Sequence, residues 1–310
     1  MKLAFVFPGQ GSQAVGMLNA FADRAIVRET LAEASEAFGS DLATMIADGP
    51  KELLDSTVNT QPAMLVAGVA TYRAWLDVGG RKPDFVAGHS LGEYPALVAA
   101  GALSLGDAIR LVRMRAEVMQ AAVPEGEGGM AAILGLDDDG VRAACAEAAQ
   151  GEVVAAVNYN TPGQVVIAGS RDAVARACEA CKARGAKRAV PLSVSVPSHC
   201  ELMHPAAEQL AVALNALNIQ VPPIPVIHNA DVAAYTDVAQ IKDALVRQLY
   251  SPVRWSETVQ WFAAQGVTVV AECGPGKVLA GLNKRIVDGL NSVALTEPAS
   301  FDALSALLAG

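Results

Sequence analysis

Two kinds of apolar spacing alternate along this chain, and together they predict an α/β protein. "KLAFVF" (residues 2–7) is an unbroken apolar run after one lysine, closed by Pro8-Gly9, which predicts a buried first strand. Residues 21–53 carry mostly helical spacing, interrupted at "FGSDL" and "DGP". "NTQPAMLVAGVATYRAWLDVGG" predicts a helix that starts at Asn59/Thr60, ahead of Pro62, and stops at Gly79-Gly80. Phe85-Val86-Ala87 then reads as the end of a second buried strand, and the Ala/Leu-rich residues 91–100 as a helix. In residues 105–122, Ile109, Leu111, Val112, Met114 and Val118 form an apolar stripe at helical spacing.

From Met130 the segments become shorter. "MAAILGL", "VVAAVNYN", "QVVIAGS" and "KRAVPLSVS" read as strands, with helical "DDGVRAACAEAAQ" after the first and "RDAVARACEACKARG" after the third. The order β-α-β-β-α-β is that of a ferredoxin-like unit. The predicted organisation is a large hydrolase-like α/β subdomain with a parallel central sheet (residues 1–127 and 198–310). Into it is inserted a small ferredoxin-like subdomain (residues 128–197), entered through the Gly-rich "PEGEGG". Downstream, "VPSHCELMHPAAEQLAVALNAL" reads as a turn and helix, "PPIPVIHNAD" as a strand, "YSPVRWSETVQWFAAQG" as a helix and "VTVVAECGPG" as a strand.

Composition narrows the class. The 310 residues are 52% hydrophobic, 18% charged and 5% aromatic, which fits an enzyme with a large aliphatic core and opposes disorder. A net charge of −9 without a basic run opposes general nucleic-acid binding. "MKLAFVFPGQGSQ" lacks the long apolar stretch of a signal peptide, and no segment is apolar enough to cross a bilayer, so a cytoplasmic protein is expected. Five cysteines scattered over the chain fit reduced thiols, and the Cys178/Cys181 pair lies in helical sequence with no second pair to complete a zinc site.

The chemistry concentrates at "GHSLGEY". Ser90 stands between a strand end and a helix start, with Gly88 and Gly92 two residues to either side, the G-x-S-x-G spacing of a nucleophile elbow. Such a turn lifts the hydroxyl clear of the backbone and aims it at helix N–H groups able to hold an anion. A serine nucleophile needs a base. Of four histidines, His89 adjoins Ser90 and diverges from it on the turn, and His204 precedes Pro205 in helical sequence. His199, on the loop after the inserted unit, and His228, after "IPVI", both remain candidates.

"FVFPGQGSQ", "GHSLGEY", "RMRAEVMQ", "NYNTPGQVVIAG", "VPSHCELM", "HNAD" and "RQLYSPVRW", in this order, resemble the malonyl-CoA:acyl carrier protein transacylases, the acyltransferases of bacterial fatty-acid synthesis. The likeness runs from the first strand to "GPGKVL". It implies Ser90 as nucleophile, His199 as general base and acid, and the Gln248 backbone carbonyl as the group that orients His199. It further implies Gln10 and Leu91 as oxyanion N–H donors, Arg115 as the anchor of the malonyl carboxylate, Gln61 lining the acyl pocket, and Asn160 and Gln164 facing the cleft. The implied substrates are malonyl-CoA and the phosphopantetheine arm of acyl carrier protein, with no metal or bound cofactor. A guanidinium suits that anchoring, since it meets a desolvated carboxylate with two parallel hydrogen bonds.

Acidic carrier proteins need a positive rim on this acidic enzyme. Lys182, Arg184, Lys187 and Arg188, with Lys284 and Arg285, are the densest basic clusters, each equally readable as a solvated helix end. A monomer is the default expectation. The alternatives are a malonyltransferase serving a polyketide synthase or a malonate decarboxylase, a non-catalytic carrier-docking module, or a serine esterase with Asp172 as its acid.

Overall fold

The computed structural model describes residues 1–194 and 196–309. Among the described residues nine strands form two sheets: β1 Lys2–Phe7, β2 Phe85–Gly88, β3 Gly128–Leu134, β4 Val154–Thr161, β5 Gln164–Ser170, β6 Arg188–Pro191, β7 Val226–Ile227, β8 Val267–Cys273 and β9 Asn291–Leu295. The first sheet is wholly parallel, in the order β7-β2-β1-β8-β9. Its centre, β1, is buried on both faces, which is why "KLAFVF" shows no polar alternation. Leu3, Phe5 and Phe7 enter the larger core, while Ala4 and Val6 enter the core on the opposite face.

Strand order reverses at β1, whose neighbours β2 and β8 lie on its two sides. Crevices at the carboxyl ends of strands form at such a switch point. The turns after β1 and β2 therefore emerge side by side, and they carry Gln10 and Ser90.

The second sheet is antiparallel, in the order β4-β5-β3-β6. With helices Asp138–Ala149 and Arg171–Ala183 joining its strands, this is the ferredoxin-like pattern. Alternation along its strands sorts the side chains: Ala131, Ile133, Val165 and Ile167 pack under the two helices. Met130, Val166 and Ala168 pack on the other face, with Cys200 and Leu202 beyond the sheet. Its edge is stitched to the larger body by Tyr159 N–H to Val253 O at 3.0 Å and Val253 N–H to Val157 O at 2.8 Å.

Several local expectations differ from the structure. The helix expected from Asn59/Thr60 starts at Thr57, and Pro62 lies inside it. The Ser56 carbonyl already accepts from the Asn59 and Thr60 N–H groups at 2.8 Å, so the helix is nucleated upstream and Pro62 removes only one bond. The strand expected in "KRAVPLSVS" ends at Pro191, although the Leu192 N–H still reaches the Met130 carbonyl at 2.9 Å, and Ser195 lies outside the described residues. "PPIPVIHNAD" yields only the two residues of β7. Strand β9 and the helices Val238–Gln248, Val278–Ile286 and Pro298–Ala309 are not among the predicted elements. No helix among the described residues is long and apolar enough to cross a membrane.

Candidate active site

Ser90 lies between β2 and the helix Glu93–Ala99, on a single 3-10 turn, Ser90–Gly92. Its φ of 53° is the left-handed conformation that side-chain-bearing residues rarely adopt. Two contacts require the glycines beside it. A Cβ at Gly88 would meet the Gly92 carbonyl carbon at 1.8 Å, and one at Gly92 would meet the Phe7 oxygen at 2.0 Å. Asn229 braces the turn from behind, accepting from the Ser90 N–H at 2.7 Å and donating to the Gly88 carbonyl at 2.6 Å. Strain at the nucleophile is thus held by its surroundings.

His199 Nε2 lies 2.7 Å from Ser90 Oγ, and His199 Nδ1 donates to the Gln248 carbonyl at 2.8 Å. That second bond sets the tautomer: with the proton on Nδ1, the Nε2 lone pair faces the serine hydroxyl. Burial, aided by the nearby Arg115 guanidinium and opposed by the Gln248 carbonyl, pushes the imidazole down to about 3. His199 is consequently neutral and able to accept a proton across the physiological range.

A pH dependence follows with a definite sign. Between about 3 and the ordinary value of 6.5 the unfolded chain takes up the His199 proton that the folded chain refuses, so this residue's contribution to stability falls as pH drops through that window. The acid limb of kcat/KM, which reports the free enzyme, is expected well below pH 6.5. An anionic acyl group paired with Arg115 weakens one of the depressing influences, so the limb of kcat should lie higher than that of kcat/KM. Steady-state profiles against malonyl-CoA from pH 4 to 9 check this, and a kcat/KM limb at the ordinary histidine value contradicts it.

Arg115, on the helix Leu105–Ala122, is 1% exposed although it carries charge. Its Nη1 donates to Gln61 Oε1 at 2.9 Å, its Nη2 to Gln248 Oε1 at 3.0 Å, and Nη2 reaches Ser90 Oγ at 3.4 Å. Tyr94 lies with its ring 5.5 Å from the guanidinium carbon. Burial lowers the arginine's affinity for its proton. Arg115 Nε is buried with no partner among the described residues, leaving donor capacity free.

Ser90, His199, Arg115, Gln61, Gln10 and Leu91 line one cleft of about 160 Å³. The Gln10 side chain is tied to Thr57, Nε2 donating to its hydroxyl at 2.9 Å, which holds the loop after β1 against the helix bearing Gln61.

The structure does not bring every expected residue there. The Asn160 amide is taken up by His89, whose Nε2 donates to Oδ1 at 2.8 Å, and it is Asn158 that lines the cleft; the register of β4 on β5 shifts on both sides of residues 158–159, so regular alternation does not carry across this stretch. Gln164 opens β5 at the hairpin after Thr161, opposite Leu134, and is absent from the cleft wall. Asp172 is exposed beside Arg171, so no carboxylate takes the place of the Gln248 carbonyl at His199 Nδ1. Lys182 and Arg184 pair with Glu179 and Glu147, and Arg285 donates to Thr161 at 3.1 Å. Lys187, Arg188 and Lys284 lie outside the cleft wall.

His228 donates through Nδ1 to the buried Glu93 and, among the described residues, makes no hydrogen bond to Ser90. Glu93, Asn229 and the Gln248 side chain were not anticipated as site residues. Their signal was present in "GHSLGEY", "HNAD" and "RQLYSP", but only contact shows what those residues do. The cysteines are all free and buried. Among the described residues no group of three or more His, Cys, Asp or Glu side chains could hold a metal ion.

Comparison with known proteins decides the family. The model of the acyl transferase domain matches residues 4–300. The chain belongs to the acyl transferase family. This acyltransferase is 59% identical over 303 residues to the malonyl CoA-acyl carrier protein transacylase of Salmonella typhimurium, covering 97% of this chain and 98% of that protein. It is 46% identical to the Bacillus subtilis protein of the same name, over 97% of this chain and 95% of that one. The crystal structure of an acyl-carrier-protein S-malonyltransferase from Burkholderia pseudomallei superimposes with a TM-score of 0.97 at 60% identity, covering 98% of this chain and 99% of that one. A malonyl-transacylase solved in complex with a type II polyketide acyl carrier protein matches the acyltransferase with the same score at 52% identity, over the full length of both.

Proposed function

We propose that this acyltransferase moves a malonyl group from malonyl-CoA to the phosphopantetheine thiol of acyl carrier protein through an ester on Ser90. The observation that carries the reading is Arg115, a buried guanidinium within 3.4 Å of the nucleophile. A site for neutral acyl groups has no use for a desolvated cation, whereas a carboxylate repays its burial with paired charge-assisted hydrogen bonds.

The Ser90 hydroxyl gives its proton to His199 Nε2 as Oγ attacks the thioester carbon. The oxyanion collects at the Gln10 and Leu91 N–H groups. The intermediate collapses, breaking the carbon–sulfur bond, and CoA leaves with the proton returned by His199. The carrier thiol then gives its proton to His199 and attacks the serine ester, and the second collapse returns the proton to Ser90. Gln61 and Arg115 hold the malonyl carboxylate throughout, which shields the ester from water. These steps move only protons and an acyl group, so they call on no metal or bound cofactor. The substrates and the free thiols suit a cytoplasmic enzyme.

Intact-protein mass spectrometry after mixing with malonyl-CoA or acetyl-CoA tests the reading. The expected result is a malonyl adduct, favoured over acetyl, that acyl carrier protein removes. Release of CoA from both thioesters at equal rates with no adduct would favour an esterase instead. The polyketide carrier complex of the similar transacylase makes a polyketide carrier the second reading for the acceptor. Relative transfer rates to the two kinds of carrier separate them.

A further inference from the structure

Glu93 is fully buried three residues after Ser90, and no step of the transfer uses it. A buried carboxylate persists only where donors or cations meet its oxygens. Here Oε1 accepts from His228, and Oε2 accepts from the Gln248 side chain at 2.7 Å and the Asn229 N–H at 3.3 Å. The same Gln248 NH2 group donates to the Ser90 carbonyl at 2.9 Å, while its Oε1 accepts from Arg115 at 3.0 Å.

A side-chain amide has two nearly isosteric orientations, and its hydrogen-bond network chooses between them. An ionised carboxylate and a peptide carbonyl only accept, so the Gln248 nitrogen must face Glu93 and Ser90. Its oxygen must then face the guanidinium. With the amide reversed, NH2 would confront Arg115, donor against donor, at a buried position where unmade hydrogen bonds are costly. Glu93 also supplies negative charge close enough to favour the charged form of Arg115. His199 is held by the Gln248 backbone carbonyl, which either amide orientation leaves in place.

We propose that Glu93 is a positioning residue for acyl-group selection: acting through the Gln248 amide, it holds Arg115 with its fork toward the acyl pocket and so sets the preference for carboxylate-bearing acyl groups. The proposal rests on the malonyl-transfer reading. Glu93→Gln is nearly isosteric but removes one of the two obligatory acceptors, leaving the Ser90 carbonyl alone to hold the orientation of the Gln248 amide.

The experiment measures Ser90 acylation rates from malonyl-CoA and from acetyl-CoA in wild type, Glu93→Gln, Gln248→Leu and the double variant, with thermal unfolding as the check on folding. In Glu93→Gln the malonyl-to-acetyl ratio is expected to fall roughly 10- to 100-fold, with the acetyl rate held within about threefold. Equal losses with both thioesters, as a merely structural role would give, overturn the proposal, and so does an unchanged ratio. Should Glu93→Gln not fold, Gln248→Leu carries the same test, because it removes the relay while keeping the backbone carbonyl. A ratio retained there overturns the proposal. In the Gln248→Leu background the effect of Glu93→Gln on the ratio must vanish, and additive losses contradict the relay. A wild type that forms no malonyl adduct overturns the transfer reading and the proposal with it, whereas a wild-type preference that survives in the variants overturns the proposal alone.

Discussion

Replacing Ser90 by alanine is expected to abolish the malonyl adduct and to lower transfer to the carrier by about 10⁴-fold or more, the scale on which covalent catalysis depends on its nucleophile. The fold should survive. Among the described residues Ser90 Oγ hydrogen-bonds only with His199 and, at 3.4 Å, Arg115, and the turn is held by the backbone bonds to Asn229 and by the glycine contacts. Alanine accepts the left-handed φ no worse than serine does. Quenched-flow mass measurement with malonyl-CoA, alongside a melting curve, checks both halves. An adduct that persists in the variant places the nucleophile elsewhere.

Arg115→Ala is expected to cut malonyl transfer roughly 10²- to 10³-fold or more, since leaving one partner of a buried ion pair uncompensated costs about 3–5 kcal/mol. Acetyl transfer, which brings no carboxylate, should fall far less or rise. Arg115→Lys is not conservative either: a lysine reaches the pocket with charge but cannot donate at once toward Gln61, Gln248 and the substrate in one plane. Its malonyl preference should lie between wild type and alanine. The ratio of kcat/KM for the two thioesters is the measurement, and proportional losses in both would return Arg115 to a purely structural role.

Those two side chains differ in how far the sequence shows them. Ser90 announced itself through local pattern, because the strand, the two glycines and the helix that make an elbow are contiguous in "FVAGHSLGEY". The small antiparallel unit was legible for the same reason, its strands and helices following one another with short turns. Arg115 was not legible from the residues alone, sharing its helix with Arg110 and Arg113, and the split between His199 and His228 stayed open until a family resemblance closed it. Distance in the chain explains the remainder. Glu93 meets His228 across 135 residues and Gln248 across 155, so neither partner is visible in a window of sequence. Asn160 shows the opposite error, in which a motif pointed to the right strand but, beside a shift of register, its side chain is taken up by His89.

The strand-like pairing of Val253 with Val157 and Tyr159 has a practical consequence for recombining this enzyme with others. Four residues separate Val253 from Gln248, whose carbonyl holds His199, so the seam between the two bodies and the clamp on the base belong to one short stretch of backbone. A chimera that imports a foreign small body must import a compatible edge as well. A mismatch in that edge's register would be felt first as a histidine turned from its serine, before any unfolding was seen.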